Sequence, residues 1–296
     1  MDVFLASVAR GVAERWLSLL TLPGLLFLAT AAVGHTLSHT GWADTAAVRE
    51  TARQQVSDLT REGTPTVVLT AAALVLTATA CGLAATAVGH AVRALWLAEG
   101  RFPPGDFLTQ RRRARWNTAH DRYAARRETA DLHLPCQLRE VDRLAELRNR
   151  ICLAEPSRPT WIGDRLAATD ARIHSAYGLD VGTAWPRLWL IVSEETRTEV
   201  RLAATAFEAA AALAGWGVLY VLLGITWWPA AIAGAAVLVT AWRRGRAIVA
   251  TYADLVESVV DLHGRSLAQA LGITDEPGPM TEDLGAAVTS SVRKGA

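Results

Sequence analysis

Apolar residues gather in three long tracts without formal charge, and the rest of this 296-residue chain is dense in arginine. Between Glu208 and Arg243 lie 34 uncharged residues, divided near their middle by Gly224-Ile-Thr-Trp-Trp-Pro229. A tract of that length exceeds a single core helix, and a Gly/Pro/Trp corner folds it into two helices whose far ends return to one side of a bilayer. Trp16 to Ala43 and Gly63 to Val92 are uncharged as well, each long enough for one crossing. The pattern predicts an all-α, four-pass helical membrane protein with a helical cytoplasmic region inserted between spans 2 and 3. The last two apolar stretches, Ala209 to Leu223 and Pro229 to Trp242, hold only 15 and 14 residues. They reach crossing length when Val200 to Glu208 and Arg243 to Thr251 extend the same helices with arginines snorkelling to the surface, and a re-entrant hairpin is the competing geometry.

The expected organisation is an interfacial N-terminal helix over 1–15, a first transmembrane pair over 16–97 with an outer loop 41–63, and a cytoplasmic helical region over 98–201. A second transmembrane hairpin over 202–250, a cytoplasmic helix over 251–274 and a flexible tail over 275–296 complete it. In the polar region, Phe107 to Arg127 reads as a very basic helix. Leu138, Val141, Leu144, Leu147 and Ile151 mark an amphipathic helix that ends before Pro156. Trp161 to Tyr177 and Pro186 to Arg201 read as two short helices separated by Gly178-Leu-Asp-Val-Gly182. Past the last span, Asp254, Glu257 and Asp261 form an acidic stripe, either solvated or paired with the arginine-rich Arg111 to Arg127 helix.

Charge placement sets the orientation. The 98–201 region carries eighteen arginines, whereas the 41–63 loop has Arg49, Arg53 and Arg61 against four acids. Positive loops stay cytoplasmic, so the chain is expected in the cell membrane with both termini inside. A hydrophobic content of 51% beside 20% charge and a mean hydropathy of +0.19 fits a chain divided between lipid and water, and a net charge of +1 argues against a nucleic-acid partner. Cys81, Cys136 and Cys152 lack the spacing of a disulfide framework or a metal knuckle.

The candidate polar cluster inside the membrane is His90, Arg93 and Glu208, with Arg93 and Glu208 at matching depth. Small residues line three spans: Ala78, Gly82, Ala85 and Gly89, then Ala211 and Gly215, then Ala230 and Gly234. They mark faces that meet protein, through intramolecular bundling or self-association. Arg111, Arg112, Arg113, Arg115 and Trp116 are candidates for anionic lipid headgroups. Trp161, Tyr177, Trp185, Arg187 and Trp189 are candidates for an interface or a cytoplasmic protein partner. His35 and His39 stand one turn apart with only Asp44 near in sequence as a further ligand, short of the four that zinc needs, so no metal is assigned. No nucleophile with its base, phosphate loop or nucleotide fingerprint is found, so no catalytic residue and no cofactor is assigned.

Pro159-Thr-Trp-Ile-Gly-Asp-Arg165, Tyr177-Gly-Leu-Asp180, Trp185-Pro-Arg-Leu-Trp189, Leu255-Val-Glu257 and Asp261-Leu-His263 together resemble a pattern found in uncharacterised multi-pass membrane proteins of actinobacteria. Those proteins have PTRLGN where this chain has Pro159-Thr-Trp-Ile-Gly-Asp164. The resemblance spans Pro156 to Leu271 and implies a membrane location without an activity. The expected function is an integral membrane anchor or scaffold presenting a basic helical domain to lipid or protein. The alternative is a homo-oligomeric ion channel or pore, since the layout of spans is similar in topology to bestrophin chloride channels.

Overall fold

The computed structural model describes residues 21–37, 63–100, 103–131 and 133–293, with isolated positions between 46 and 61. Among these residues the fold is all helical, with no strand. The helices are α1 (Leu22–Leu37), α2 (Thr64–Leu97), α3 (Pro103–Thr129), α4 (Pro135–Ile151) and α5 (Trp161–Tyr177). They are followed by α6 (Val181–Ile191), α7 (Glu194–Leu223), α8 (Trp228–Ala270) and α9 (Glu282–Val292). The expected interfacial helix over 1–15 lies outside the described residues, as do His39 and most of the 41–63 loop. Two helices, α2 with 34 residues and α7 with 30, are long and apolar enough to cross a membrane, and α1 is a shorter apolar helix. α8 runs for 43 residues, uncharged as far as Trp242 and then opening on Arg243, Arg244 and Arg246.

The chain divides into two compact units, Met1–Arg93 with Glu208–Arg243, and Ala94–Phe207 with Arg244–Ala296. In the first, small residues set how closely the helices approach. A Cβ on Gly215 would lie 1.9 Å from the Ala85 carbonyl oxygen, and one on Gly24 would lie 2.1 Å from that of Ala78. Ala78, Ala85 and Ala214 are at most 1% exposed, so the small faces read from the sequence bundle within the chain. α7 and α8 fold back at the expected corner, where the Thr226 N–H donates to the Leu223 carbonyl at 3.0 Å. The Trp227 side chain packs on Gly34 of α1, and Phe27 meets Tyr220 edge-on at 5.3 Å.

The outer side of α2 is different. Val68, Leu69 and Leu76 are 61%, 70% and 71% exposed, with Leu74, Val75 and Leu83 exposed beside them. A run of large apolar side chains of that extent marks a surface built to be covered.

The second unit has a conventional core, in which Ile173, Leu188, Val260, Leu267 and Val288 come from α5, α6, α8 and α9, and Leu179 from the connection between α5 and α6; all are almost fully buried. α5 begins where the Thr160 hydroxyl accepts from the Gly163 N–H at 3.1 Å, and it stops at Gly178, whose φ of 60° suits a residue without Cβ. Asp180 then caps α6 by accepting from the Thr183 N–H. The helix expected over Pro186 to Arg201 is instead split after Ile191, because Ser193 accepts from the Thr196 N–H and starts α7.

Two further expectations are corrected. The 275–296 segment was expected as a flexible tail, yet α9 forms within it and docks. Its start has the Thr281 cap with Glu282 and Asp283 in the first turn, where acids favour a helix N-terminus. Its inner face buries Val288 and Val292, and the Thr289 hydroxyl donates to the Gly178 carbonyl while accepting from the Asp180 N–H. The acidic stripe of α8 does not pair with the Arg111 to Arg127 helix. Asp254 pairs with Arg165, Glu257 with Arg172 at 2.7 Å, and Asp261 accepts from the Tyr177 hydroxyl at 2.8 Å. Those three partners recur along one side of α5, which lies against the stripe and so outcompetes a helix of higher charge density.

Candidate functional site

The most densely bonded part of the second unit is the loop from Cys152 to Thr160 with the start of α5. The loop carries backbone groups that no helix satisfies, and the side chains around it supply the partners. Asp164, 2% exposed, accepts from the N–H groups of Ser157 at 2.8 Å and Arg158 at 2.7 Å and forms an ion pair with Arg112. Arg112 also donates to the Arg158 carbonyl at 2.8 Å and the Ile151 carbonyl at 3.2 Å. Arg113 reaches the Pro156 carbonyl and pairs with Glu155 at 2.8 Å, while the Trp116 indole N–H donates to the Cys152 carbonyl at 2.9 Å. Arg158 and Thr160 in turn donate to the carbonyls of Leu97 and Trp96. The Pro159 to Arg165 motif is therefore a joint that ties α3, the end of α2 and α5 together. Burial, followed by the nearby Asp164 carboxylate, pushes the Cys152 thiol above its usual range and keeps it protonated.

Of the five residues assigned to lipid headgroups, Arg112, Arg113 and Trp116 use their polar groups inside this joint. Arg111 and Arg115 are exposed. Trp116 stacks on His120 at 4.7 Å, and Arg148 lies over the Tyr123 ring at 4.7 Å, so the aromatic face of α3 turns toward α4.

The five interface candidates do not form one patch. Trp161 lies under the Arg246 guanidinium at 4.3 Å, and Tyr177 bonds to Asp261, an interaction that raises the phenol above its usual range ahead of burial. Trp185 and Trp189 lie one turn apart on α6 with ring centroids separated by 6.0 Å. Arg187 donates back to the Thr183 carbonyl at 2.9 Å, and Arg201 lies over the Trp189 ring at 5.5 Å.

In the first unit the structure joins Arg93 to Glu208 at 3.2 Å. Both are partly exposed, at 41% and 60% of the side chain, and His90 is exposed. Among the described residues no group of three His, Cys, Asp or Glu side chains is placed to hold a metal ion.

α5, α6 and α8 also enclose a cleft of about 300 Å³. Leu166, Ile173, Val181, Trp185 and Val256 line it, together with Asp170 and Tyr252. Sequence reasoning found Trp185 but missed Asp170 and Tyr252. The available signal was their spacing: Asp170 stands four residues after Leu166 and three before Ile173, on the face of α5 that leads into the core. In comparisons with protein-family models, curated proteins and solved structures, nothing matches this chain.

Proposed function

We propose that the chain is an integral membrane anchor or scaffold that crosses the bilayer four times and keeps both termini in the cytoplasm. In this reading the basic helical region between spans 2 and 3 is presented to anionic headgroups or to a protein partner. Membership of the actinobacterial group whose motifs it resembles belongs to the same proposal. The observation that carries the reading is the exposed apolar side of α2, where Val68, Leu69 and Leu76 are each more than half exposed. Leaving such area in water costs about 25 cal/mol per Å², and lipid removes that cost. The arginine-rich 98–201 region supports the orientation, and exposed Arg111 and Arg115 are the cations available to a headgroup.

Fractionation and cysteine accessibility test the proposal. In a chain whose native cysteines are replaced, Arg115→Cys should resist an impermeant maleimide in intact cells, and Ser57→Cys should react. The protein should stay with membranes through alkaline carbonate washing. A chain that remains in solution without amphiphile, or an Arg115→Cys site labelled from outside, refutes it.

A homo-oligomeric pore of bestrophin-like topology is the second reading, favoured by Thr70 and Thr77 on the exposed side of α2, with half-buried Thr79 on the opposite face. Each of these hydroxyls donates to its own helix at 2.8 Å, which leaves only lone pairs to line a channel. Ion flux into liposomes that falls on Glu208→Gln would replace the scaffold with the pore.

A further inference from the structure

We infer that the cleft between α5, α6 and α8 binds a hydrophobic organic cation, a single ammonium group on a compact apolar body. A volume of about 300 Å³ is at the small end of ligand pockets and admits a body of about a dozen non-hydrogen atoms. Leu166, Ile173, Val181 and Val256 provide apolar walls, and Trp185 supplies an indole against which a cation is attracted.

The sign of the ligand comes from Asp170. Asp170 is an exposed residue of the cleft lining, and no hydrogen bond or ion pair engages it among the described residues. The nearest arginines on the same helix are already committed, Arg165 to Asp254 and Arg172 to Glu257. Those charges cancel in pairs, and His174, one turn further along, makes no bond to Asp170. One uncompensated negative charge therefore stands beside an apolar, aromatic cleft. The Tyr252 hydroxyl has no partner among the described residues either, so a second polar atom of the ligand finds a donor or acceptor there. An anion would meet the carboxylate unfavourably, and a neutral hydrocarbon would leave both polar groups unused. This inference concerns the second unit alone and does not depend on the scaffold reading.

The test uses the full chain in nanodiscs, titrated calorimetrically against empty nanodiscs. The probes are phenethylammonium, its neutral counterpart 2-phenylethanol, and phenylacetate. Saturable binding of the cation is expected, at least about tenfold tighter than the alcohol, with no binding of the anion. Asp170→Asn should bring cation and alcohol within about twofold of each other. Val181→Trp should fill the cleft and abolish both, while Asp275→Asn should change nothing. Equal affinity for cation and alcohol, a preference that survives Asp170→Asn, or no saturable binding above the empty nanodisc each overturns the assignment.

Discussion

Replacing Asp164 with alanine tests whether the Pro156 to Arg165 segment is a joint. The carboxylate is 2% exposed and Arg112 only 17%, so the ion pair is largely withdrawn from water. Removing one side of such a pair costs about 3–5 kcal/mol, because the remaining guanidinium keeps its desolvation penalty. The Ser157 and Arg158 N–H groups, held at 2.8 and 2.7 Å, also lose their acceptor, at about 1–3 kcal/mol each if water cannot reach them. Water will enter this loop once Asp164 is gone, so the expected net loss is about 4 kcal/mol, a large fraction of an ordinary domain's stability. That corresponds to a roughly thousandfold rise in local opening.

Hydrogen exchange on the full chain reads this directly at the amides between Cys152 and Arg165. Protection there should fall by two to three decades on Asp164→Ala and by roughly half as much, in logarithmic terms, on Asp164→Asn, which keeps one acceptor oxygen. Arg112→Ala combined with Asp164→Ala should cost clearly less than the sum of the single changes, since each single change orphans the same partner. Protection within a factor of about three of the parent chain would refute the joint.

Three other expectations follow from the geometry. Gly285→Ala places a Cβ 1.8 Å from the Tyr177 carbonyl oxygen, so α9 should detach and give up the burial of Val288 and Val292, about 1.5–3 kcal/mol for each. Limited proteolysis between 275 and 280 should accelerate severalfold, and an unchanged rate would count against docking of α9. The hydrogen bond from Arg293, then the Thr183 amide, holds the Asp180 carboxyl below its usual range against the opposing effect of burial. A depressed carboxyl gives its stabilisation in full above its unfolded value, about 4, and loses it as pH falls through the lower folded value. With side chains 27% and 52% exposed the loss stays below about 1 kcal/mol, and Arg293→Ala should flatten the dependence of α9 exchange on pH between 2 and 5. Glu208→Gln separates two environments for the Arg93 pair: about 1 kcal/mol or less if water surrounds it, about 2.5–3.5 kcal/mol if lipid does. Thermal unfolding in nanodiscs decides, and a loss under about 1 kcal/mol would refute a lipid setting for Arg93.

The readable features were those in which one local rule and one long-range rule agree. The corner after Leu223 combines glycine and proline chemistry with a change of direction demanded by apolar length. The faces around Ala85 and Gly215 combine helical spacing with the close approach that only small residues permit. Arg93 and Glu208 were paired from depth alone, because an uncharged tract leaves a charge few partners. Where the chain is rich in charge that economy disappears. For the acidic stripe the sequence left a solvated face and pairing with Arg111 to Arg127 both open, but Arg165 and Arg172 lie on α5 against the stripe and win by position. α9 was hidden behind Pro277-Gly278-Pro279, although Thr281 followed by two acids was a start signal strong enough to find it.

The role of the basic helix turns on the same imbalance between side chains and backbone. Arg112 and Arg113 read as headgroup ligands because sequence displays charges and conceals unsatisfied carbonyls. The loop after Ile151 exposes several carbonyl oxygens that no helix can bond, and a buried unpaired acceptor costs more than a solvated arginine gains at a membrane surface. Arg112 therefore turns inward, and Arg113, though still exposed, commits its guanidinium to the Pro156 carbonyl and Glu155. Arg111 and Arg115, on the other side of α3, keep the outward charge that a headgroup would use.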